Sequence, residues 1–230
     1  VLTLIMPQAN LRGGSGDTLL ALSAVSFTTA GDAPPRFSGN LSTGGRGLPR
    51  IVGRMERAAG GRAVLRLRMA EYRAGSSSLA IPEMVIAQAG SGTIGFSGRV
   101  LASGALPGGS TSGLQVPVTG RWDGGRLSLW RECAEIRFDR LTVASLALER
   151  RGLTLCPPRG RYILEQDSRG LRIAAGAPSL DVAGRLADTP IRLRSGPIGF
   201  AYPGALSARD VDVMLGPPAT ASSFRISNLD

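Results

Sequence analysis

The sequence has no histidine, no lysine and few aromatic side chains among its 230 residues. Without histidine there can be no Ser-His-Asp triad, no Cys-His pair and no imidazole metal ligand. Without lysine, a P-loop and Schiff-base chemistry are excluded as well. Cysteine occurs only twice, which is too few for a structural zinc site when histidine is missing. We therefore expect no enzyme activity, no catalytic residue, no metal site and no cofactor.

Long apolar runs are also missing, because no stretch approaches the roughly 18 consecutive apolar residues of a membrane-spanning helix. The chain opens on the strand-like run Val1–Ile5, with no initiator methionine, charged leader or cleavage site before it. We interpret residues 1–230 as a single β-rich segment inside a longer chain. Whether that longer chain carries a membrane anchor elsewhere stays open at this point.

The charge is strongly positive, with 27 basic and 17 acidic residues and a formal net charge of +10. All the basic residues are arginine, and they are scattered over the polar positions of the predicted strands, as in Arg66 and Arg68. A nucleic-acid surface needs a concentrated basic patch, often with aromatic platforms. We expect no nucleic-acid partner and at most a modest affinity for anionic lipid headgroups.

Apolar and polar residues alternate with a period of two along much of the chain, as in Val64–Met69 and Leu127–Trp130. This period is typical of half-buried β-strands, and pairs such as Gly60-Gly61 and Gly124-Gly125 separate the runs as turns. The best helical candidate, Thr18–Ser26, fits a strand equally well. The pattern predicts an all-β chain with little helix, built as a long antiparallel meander.

A faint internal repeat relates residues 37–95 to residues 96–158. Each copy begins with Phe-Ser-Gly, at Phe37 and at Phe96, and continues through a Gly-Arg pair and a double glycine into a strand. Such self-similarity indicates stacked β units that contact mainly their neighbours. Chance similarity between glycine-rich meanders explains the pattern equally well, so both interpretations stay open.

The two cysteines, Cys133 and Cys156, flank a pair of alternating runs that break at Gly152. If these runs pair as antiparallel strands, the two thiols can meet across them and form a disulfide, which indicates an oxidising compartment. The alternative is a pair of free thiols in a hydrophobic core.

Two further patterns invite a chemical interpretation. The run Gly90–Gly95 matches the dinucleotide fingerprint G-x-G-x-x-G, but strand-like residues follow it where that motif needs a helix, so we interpret it as a turn. Asp210 and Asp212 are two residues apart and share one strand face, whereas a glycosidase needs two carboxylates facing each other across a cleft. We interpret this acidic pair as solvated surface.

The stretch from Gly95 to Pro158, with the segments GFSGRVLASGALPGG, GLQVPVTGRWDGGRLSLWREC, IRFDRLTV and LTLCPP, resembles the YdbH-like proteins of the AsmA-like superfamily. An older label for such proteins is "dicarboxylate transport" domain. The closing run Phe224–Asp230 is similar to repeated strand ends in the same group. The resemblance is a style of strand and turn and carries no catalytic signature.

The resemblance implies a strongly curled, trough-like antiparallel sheet with an apolar concave face. It further implies a periplasmic segment of a Gram-negative chain anchored in the inner membrane, which passes phospholipid towards the outer membrane, with an envelope protein as a further partner. Our candidates for the lipid-facing side are the apolar residues of four alternating runs: Leu65, Leu67, Leu127, Leu129, Ile136, Phe138, Leu171 and Ile173.

Two other functions fit the same alternation. A structural or adhesive β-repeat module of the cell envelope would close over its own core and bind no lipid. A hydrolase or carbohydrate-binding domain would need a pocket with convergent polar groups, and the lack of histidine and of aromatic residues disfavours it.

Overall fold

The structure is a computed structural model that describes residues 1–32, 34–58, 60–106, 108–217 and 219–229, without the side chains of Arg150 and Arg151. Its described residues form 18 β-strands of one antiparallel sheet and no helix. The predicted all-β class, the antiparallel sheet and the near absence of helix are confirmed. The curl of the sheet and the apolar concave face stay predictions.

The first nine strands are β1 (Leu2–Arg12), β2 (Thr18–Thr29), β3 (Arg36–Thr43), β4 (Ile51–Arg57), β5 (Ala63–Ala74), β6 (Ser77–Gln88), β7 (Ile94–Leu106), β8 (Gly109–Asp123) and β9 (Arg126–Leu129). The other nine are β10 (Ala134–Val143), β11 (Leu146–Leu155), β12 (Leu164–Asp167), β13 (Gly170–Ala177), β14 (Leu180–Leu186), β15 (Thr189–Ser195), β16 (Ile198–Tyr202), β17 (Leu206–Leu215) and β18 (Ser222–Leu229).

The chain divides into two units. Unit 1 comprises Val1–Ala74, Ser78–Val100 and Val118–Gly124, and unit 2 comprises Gly75–Ser77, Leu101–Pro117 and Gly125–Asp230, of which Asp230 lies outside the described residues. This division tests neither the prediction of a single β-rich segment nor that of an internal repeat.

In unit 1, strands β1 to β5 form an antiparallel meander in which each strand pairs with the next. Short turns join them; one example is the turn in which Gly16 donates to the Gly13 carbonyl. The run Thr18–Ser26 lies in β2 and is therefore strand.

Unit 2 has a more crossed connectivity. β10 pairs with both β8 and β11, and β12 pairs with both β9 and β13. β14 lies between β11 and β15, and β17 pairs with β15, β16 and β18. Partners distant in sequence thus become neighbours, which a simple meander does not predict.

Few apolar side chains are fully buried. Among the described residues they are Val25 and Met69 in unit 1 and Ala134, Phe138, Ile163, Val182, Ala208 and Val211 in unit 2. Most of the alternating apolar residues therefore remain half-exposed on the sheet instead of being enclosed in a core.

Candidate functional site

One side of strands β1 to β5 carries most of their large apolar residues. Residues directly opposite each other in an antiparallel pair lie on the same face, and the register aligns Leu4 with Phe27 and Phe27 with Phe37. We call this surface the apolar side of unit 1. Its large members are Leu2, Leu4, Met6, Leu11, Leu20, Leu22, Val25, Phe27, Phe37, Leu41, Ile51, Met55, Leu65, Leu67 and Met69.

A β-bulge keeps this side continuous. In β2 the apolar residues occupy even positions up to Leu22 and odd positions from Val25, so the alternation changes phase between them. Ala24, with φ of +49°, stands at this point, and the register with β3 shifts there. An extra residue in a bulge shifts the alternation by one, so that side chains beyond the bulge change parity on each face of the sheet. Leu22 and Val25 therefore face the same way.

Two glycines lie in the middle of the apolar side. A Cβ at Gly39 would come within 3.2 Å of Val25 Cγ2, and one at Gly53 within 2.8 Å of the Arg66 carbonyl oxygen. Neither position has room for a larger residue. The backbone at the centre of β3 and β4 is therefore covered only by neighbouring side chains such as Leu65 and Leu67.

The opposite side of unit 1 is polar. Arg54 donates to Glu56 at 2.7 Å and to Asn40 at 3.2 Å, and the Arg54 hydrogen bond holds the pKa of Glu56 below its ordinary value. A cavity of about 520 Å³ opens on this side, lined by Ser23, Asn40 and Arg68 among others. Its lining thus combines hydroxyl, amide and guanidinium groups with apolar residues such as Ala21, Val52 and Pro82.

Four of the predicted lipid-facing residues come together in unit 2. The register pairs Leu164 of β12 with Leu129 of β9 and with Ile173 of β13. Two residues further along β12, Gln166 is paired with Leu127 and with Leu171. Leu127, Leu129, Leu171 and Ile173 therefore lie on one face of β9, β12 and β13. The sequence distance between β9 and β13 hid this proximity.

An apolar cavity of about 520 Å³ lies against the same strand β13. Its volume is within the range of small-molecule sites. Ile173 is the one predicted residue in its lining, and the alternation of Leu153 and Leu155 in β11 was a signal that could have identified two more. The large apolar lining residues are Leu153, Leu155, Ile163, Ile173, Leu180, Ile198, Phe200 and Leu206.

The predicted residues Ile136 and Phe138 lie on one face of β10, where Ile136 is directly opposite the cavity residue Leu153. Ile136 is half-buried, but Phe138 is only 2% exposed. Phe138 therefore belongs to the packed interior of unit 2. In unit 1, Leu65 and Leu67 are both half-buried on β5.

The two cysteines are joined in the structure. Cys133 and Cys156 form a disulfide with a Cα–Cα distance of 4.0 Å, and no described cysteine is free. The neighbouring register pair is Ala134 with Leu155, so the bond closes the open end of the β10–β11 hairpin. Cys156 also exchanges backbone hydrogen bonds with Gly176, which ties this end to β13.

Ion pairs cover one face of β14, β15, β17 and β18. Arg192 binds Asp181 through two hydrogen bonds, at 3.1 Å and 2.9 Å, and Arg225 binds Asp212 at 2.7 Å. The Arg225 hydrogen bond holds the pKa of Asp212 below its ordinary value. Asp212 is therefore part of a surface ion pair, which agrees with its interpretation as solvated surface.

The other sequence patterns lie in ordinary structure. The G-x-G-x-x-G run forms the turn between β6 and β7, where Ala89 donates to the Thr93 carbonyl. Within the described ranges, no three acidic, cysteine or histidine residues are grouped to hold a metal ion. Nor does that part of the chain contain a helix long and apolar enough to cross a membrane.

The fold and its surfaces define an all-β protein whose candidate site is apolar sheet surface instead of a set of reactive groups. The chain matches the family model "YdbH-like: Intermembrane phospholipid transport protein YdbH" over residues 1–229, and so belongs to the YdbH-like family. No curated protein and no solved structure matches it. Membership implies intermembrane phospholipid transport, and the family is one of lipid transport proteins, not of enzymes.

Proposed function

We propose that this chain is a periplasmic segment of a bridge that shields phospholipid acyl chains between the inner and outer membranes. The parent chain is anchored in the inner membrane, phospholipid is its cargo, and an envelope protein is a further partner. The observation that carries the proposal is the apolar side of unit 1, where seventeen strand positions over five paired strands carry large apolar or alanine side chains. The family match supports the same cargo.

The energetics require such a surface. Burial of one methylene group gains about 0.8 kcal/mol, so an acyl chain of roughly 16 carbons resists exposure to water by about 12 kcal/mol. A lipid that crosses an aqueous gap therefore needs a continuous apolar support. Half-exposed leucines, which are unfavourable on an ordinary protein surface, provide this apolar support.

The dimensions of the apolar side agree with this cargo. Neighbouring strands are about 4.8 Å apart, so five strands span about 19 Å. A bilayer core is about 30 Å thick, so the chains of one leaflet extend about 15 Å. The apolar side is therefore wider than one acyl chain is long, so the chain can stay in apolar contact whether it lies along the strands or across them.

The exposure of large apolar residues within unit 1 favours this proposal over a closed structural module. A module with its own core would bury its leucines, whereas Leu4 and Leu11 in unit 1 are each 60% exposed. A carbohydrate-binding or hydrolytic domain finds no support either, because the cavity beside β13 is lined mainly by aliphatic residues.

The test is native mass spectrometry with lipid extraction on the chain purified from the periplasm. We expect phospholipid at discrete stoichiometry, and loss of that lipid in the variants Leu65→Glu and Leu127→Glu. The matched control is Val52→Glu, which makes the same change from an apolar to an acidic side chain on the polar side of unit 1, opposite Arg68. A lipid-free wild-type chain, or folded leucine variants that keep their lipid, would contradict the proposal.

A further inference from the structure

We infer that Arg57 binds the phosphate of a phospholipid whose acyl chains lie on the apolar side of unit 1. This inference rests on the proposed function and adds a headgroup position to it. Arg57 is the last residue of β4, and its directly opposite neighbours are Phe37 in β3 and Ala63 in β5. It therefore lies on the apolar side, at one end of the strands.

Arg57 is the one charged residue that the described register places on the apolar side, up to the register shift between Leu11 and Arg12. The other members are aliphatic, aromatic, glycine or threonine. A charged group beside apolar surface is unfavourable once hydrocarbon covers it, unless the charge has a partner. A lipid phosphate brings such a partner together with the hydrocarbon.

The Arg57 side chain is also exposed and has no hydrogen bond or ion pair with any described residue. The polar side of the same strand is different, because Arg54 is held there by Glu56 and Asn40. A free guanidinium presents a fork of donors that matches phosphate oxygens. Arg57 can therefore bind an anion without first breaking an internal contact.

The length of the strand fits a lipid anchored at this end. From Arg57 to Ile51, β4 advances six residues, or about 20 Å at 3.4 Å per residue. Acyl chains that start at Arg57 and run along the strands need about 15 Å, the depth of one leaflet. They therefore end before Ile51, over Met55, Gly53 and the neighbouring Leu65 and Leu67.

The experiment compares two lipids with identical acyl chains, phosphatidylethanolamine and diacylglycerol, which differ in the phosphoethanolamine group that carries the phosphate. The purified chain is incubated with vesicles that hold both in equal amounts, reisolated, and its bound lipids are quantified by mass spectrometry. We expect the wild type to favour phosphatidylethanolamine about fivefold, since one exposed charge-assisted contact replaces water. Arg57→Gln is expected to bring the ratio near one while total lipid stays.

The matched control is Arg68→Gln. Arg68 is exposed, has no described partner and lies opposite Val52 on the polar side, so its loss removes the same charge from the same unit. We expect the wild-type ratio to persist in this variant. An unchanged ratio in Arg57→Gln, or an equal fall in Arg68→Gln, overturns the inference.

The remaining outcomes separate the two proposals. If the wild type takes up both lipids equally, the headgroup inference fails and the acyl-chain function stands. If the wild type takes up neither lipid, both the proposed function and the headgroup inference are wrong. Excess inorganic phosphate is expected to leave the ratio unchanged; a ratio that falls to one with phosphate identifies a free-phosphate site and overturns the lipid assignment.

Discussion

Replacement of Phe138 by alanine tests whether this residue belongs to the interior or to the lipid-facing side. Phe138 is 2% exposed in β10, so the truncation removes a fully buried ring. Comparable Phe→Ala changes in packed interiors cost about 3–5 kcal/mol. A domain is stable by only about 5–15 kcal/mol, so the variant should lose a large share of its stability.

The matched control is Leu171→Ala in β13. Leu171 was predicted for the same lipid-facing set, but its side chain is 38% exposed, so truncation forfeits only part of its burial. We expect a cost of about 1 kcal/mol, at the low end for a leucine. Its effect should instead appear as weaker lipid binding.

The assay is urea unfolding of both variants and the wild type, followed by circular dichroism and by intrinsic fluorescence. The free energy of unfolding of Phe138→Ala should fall by about 2 kcal/mol or more relative to that of Leu171→Ala. If the two variants unfold at the same urea concentration with equal slopes, Phe138 is not part of a packed interior, and the division between core and lipid surface in unit 2 is wrong.

Three further predictions concern the disulfide, one glycine and one ion pair. Alkylation should leave the intact mass of the purified chain unchanged until a reductant is added, and a mass increase without reductant would refute the disulfide. From the length of the loop between Cys133 and Cys156, reduction should lower the free energy of unfolding by about 3 kcal/mol. Gly184→Ala should lower the free energy of unfolding by about 2 kcal/mol, because a Cβ at this position meets the Ala147 carbonyl. The control is Gly14→Ala, where a Cβ has free space. Equal unfolding midpoints in the two variants would contradict the close approach at Gly184. The pKa of Asp212 is lowered in the folded chain, so its pair with Arg225 stabilises the fold above about pH 4 and is lost as the pH falls below that value. Acid should therefore lower the urea midpoint more in the wild type than in Asp212→Asn. Parallel curves of midpoint against pH would argue against the pair.

The alternation of polar and apolar residues was enough to predict the all-β fold, because strand period follows directly from backbone geometry, and it selected Leu65 and Leu67 on the apolar side of unit 1. It also selected Leu127, Leu129, Leu171 and Ile173, which share a face. It could not show that Phe138 is buried, since burial depends on which distant strands pair. The phase change at Ala24 explains why Thr18–Ser26 was ambiguous: a bulged strand breaks the period on which the prediction depends.

The uniformity of the apolar side has a kinetic consequence. In the two middle rows of the register, a hydrocarbon chain that moves from β1 to β5 meets no polar side chain; the rows are Met6, Val25, Gly39, Met55 and Leu65, and Ala9, Leu22, Leu41, Gly53 and Leu67. A step from one strand to the next therefore exchanges contacts of nearly equal strength. On such a level energy profile a bound lipid can travel by one-dimensional diffusion, and the concentration difference between the two ends can set its net direction.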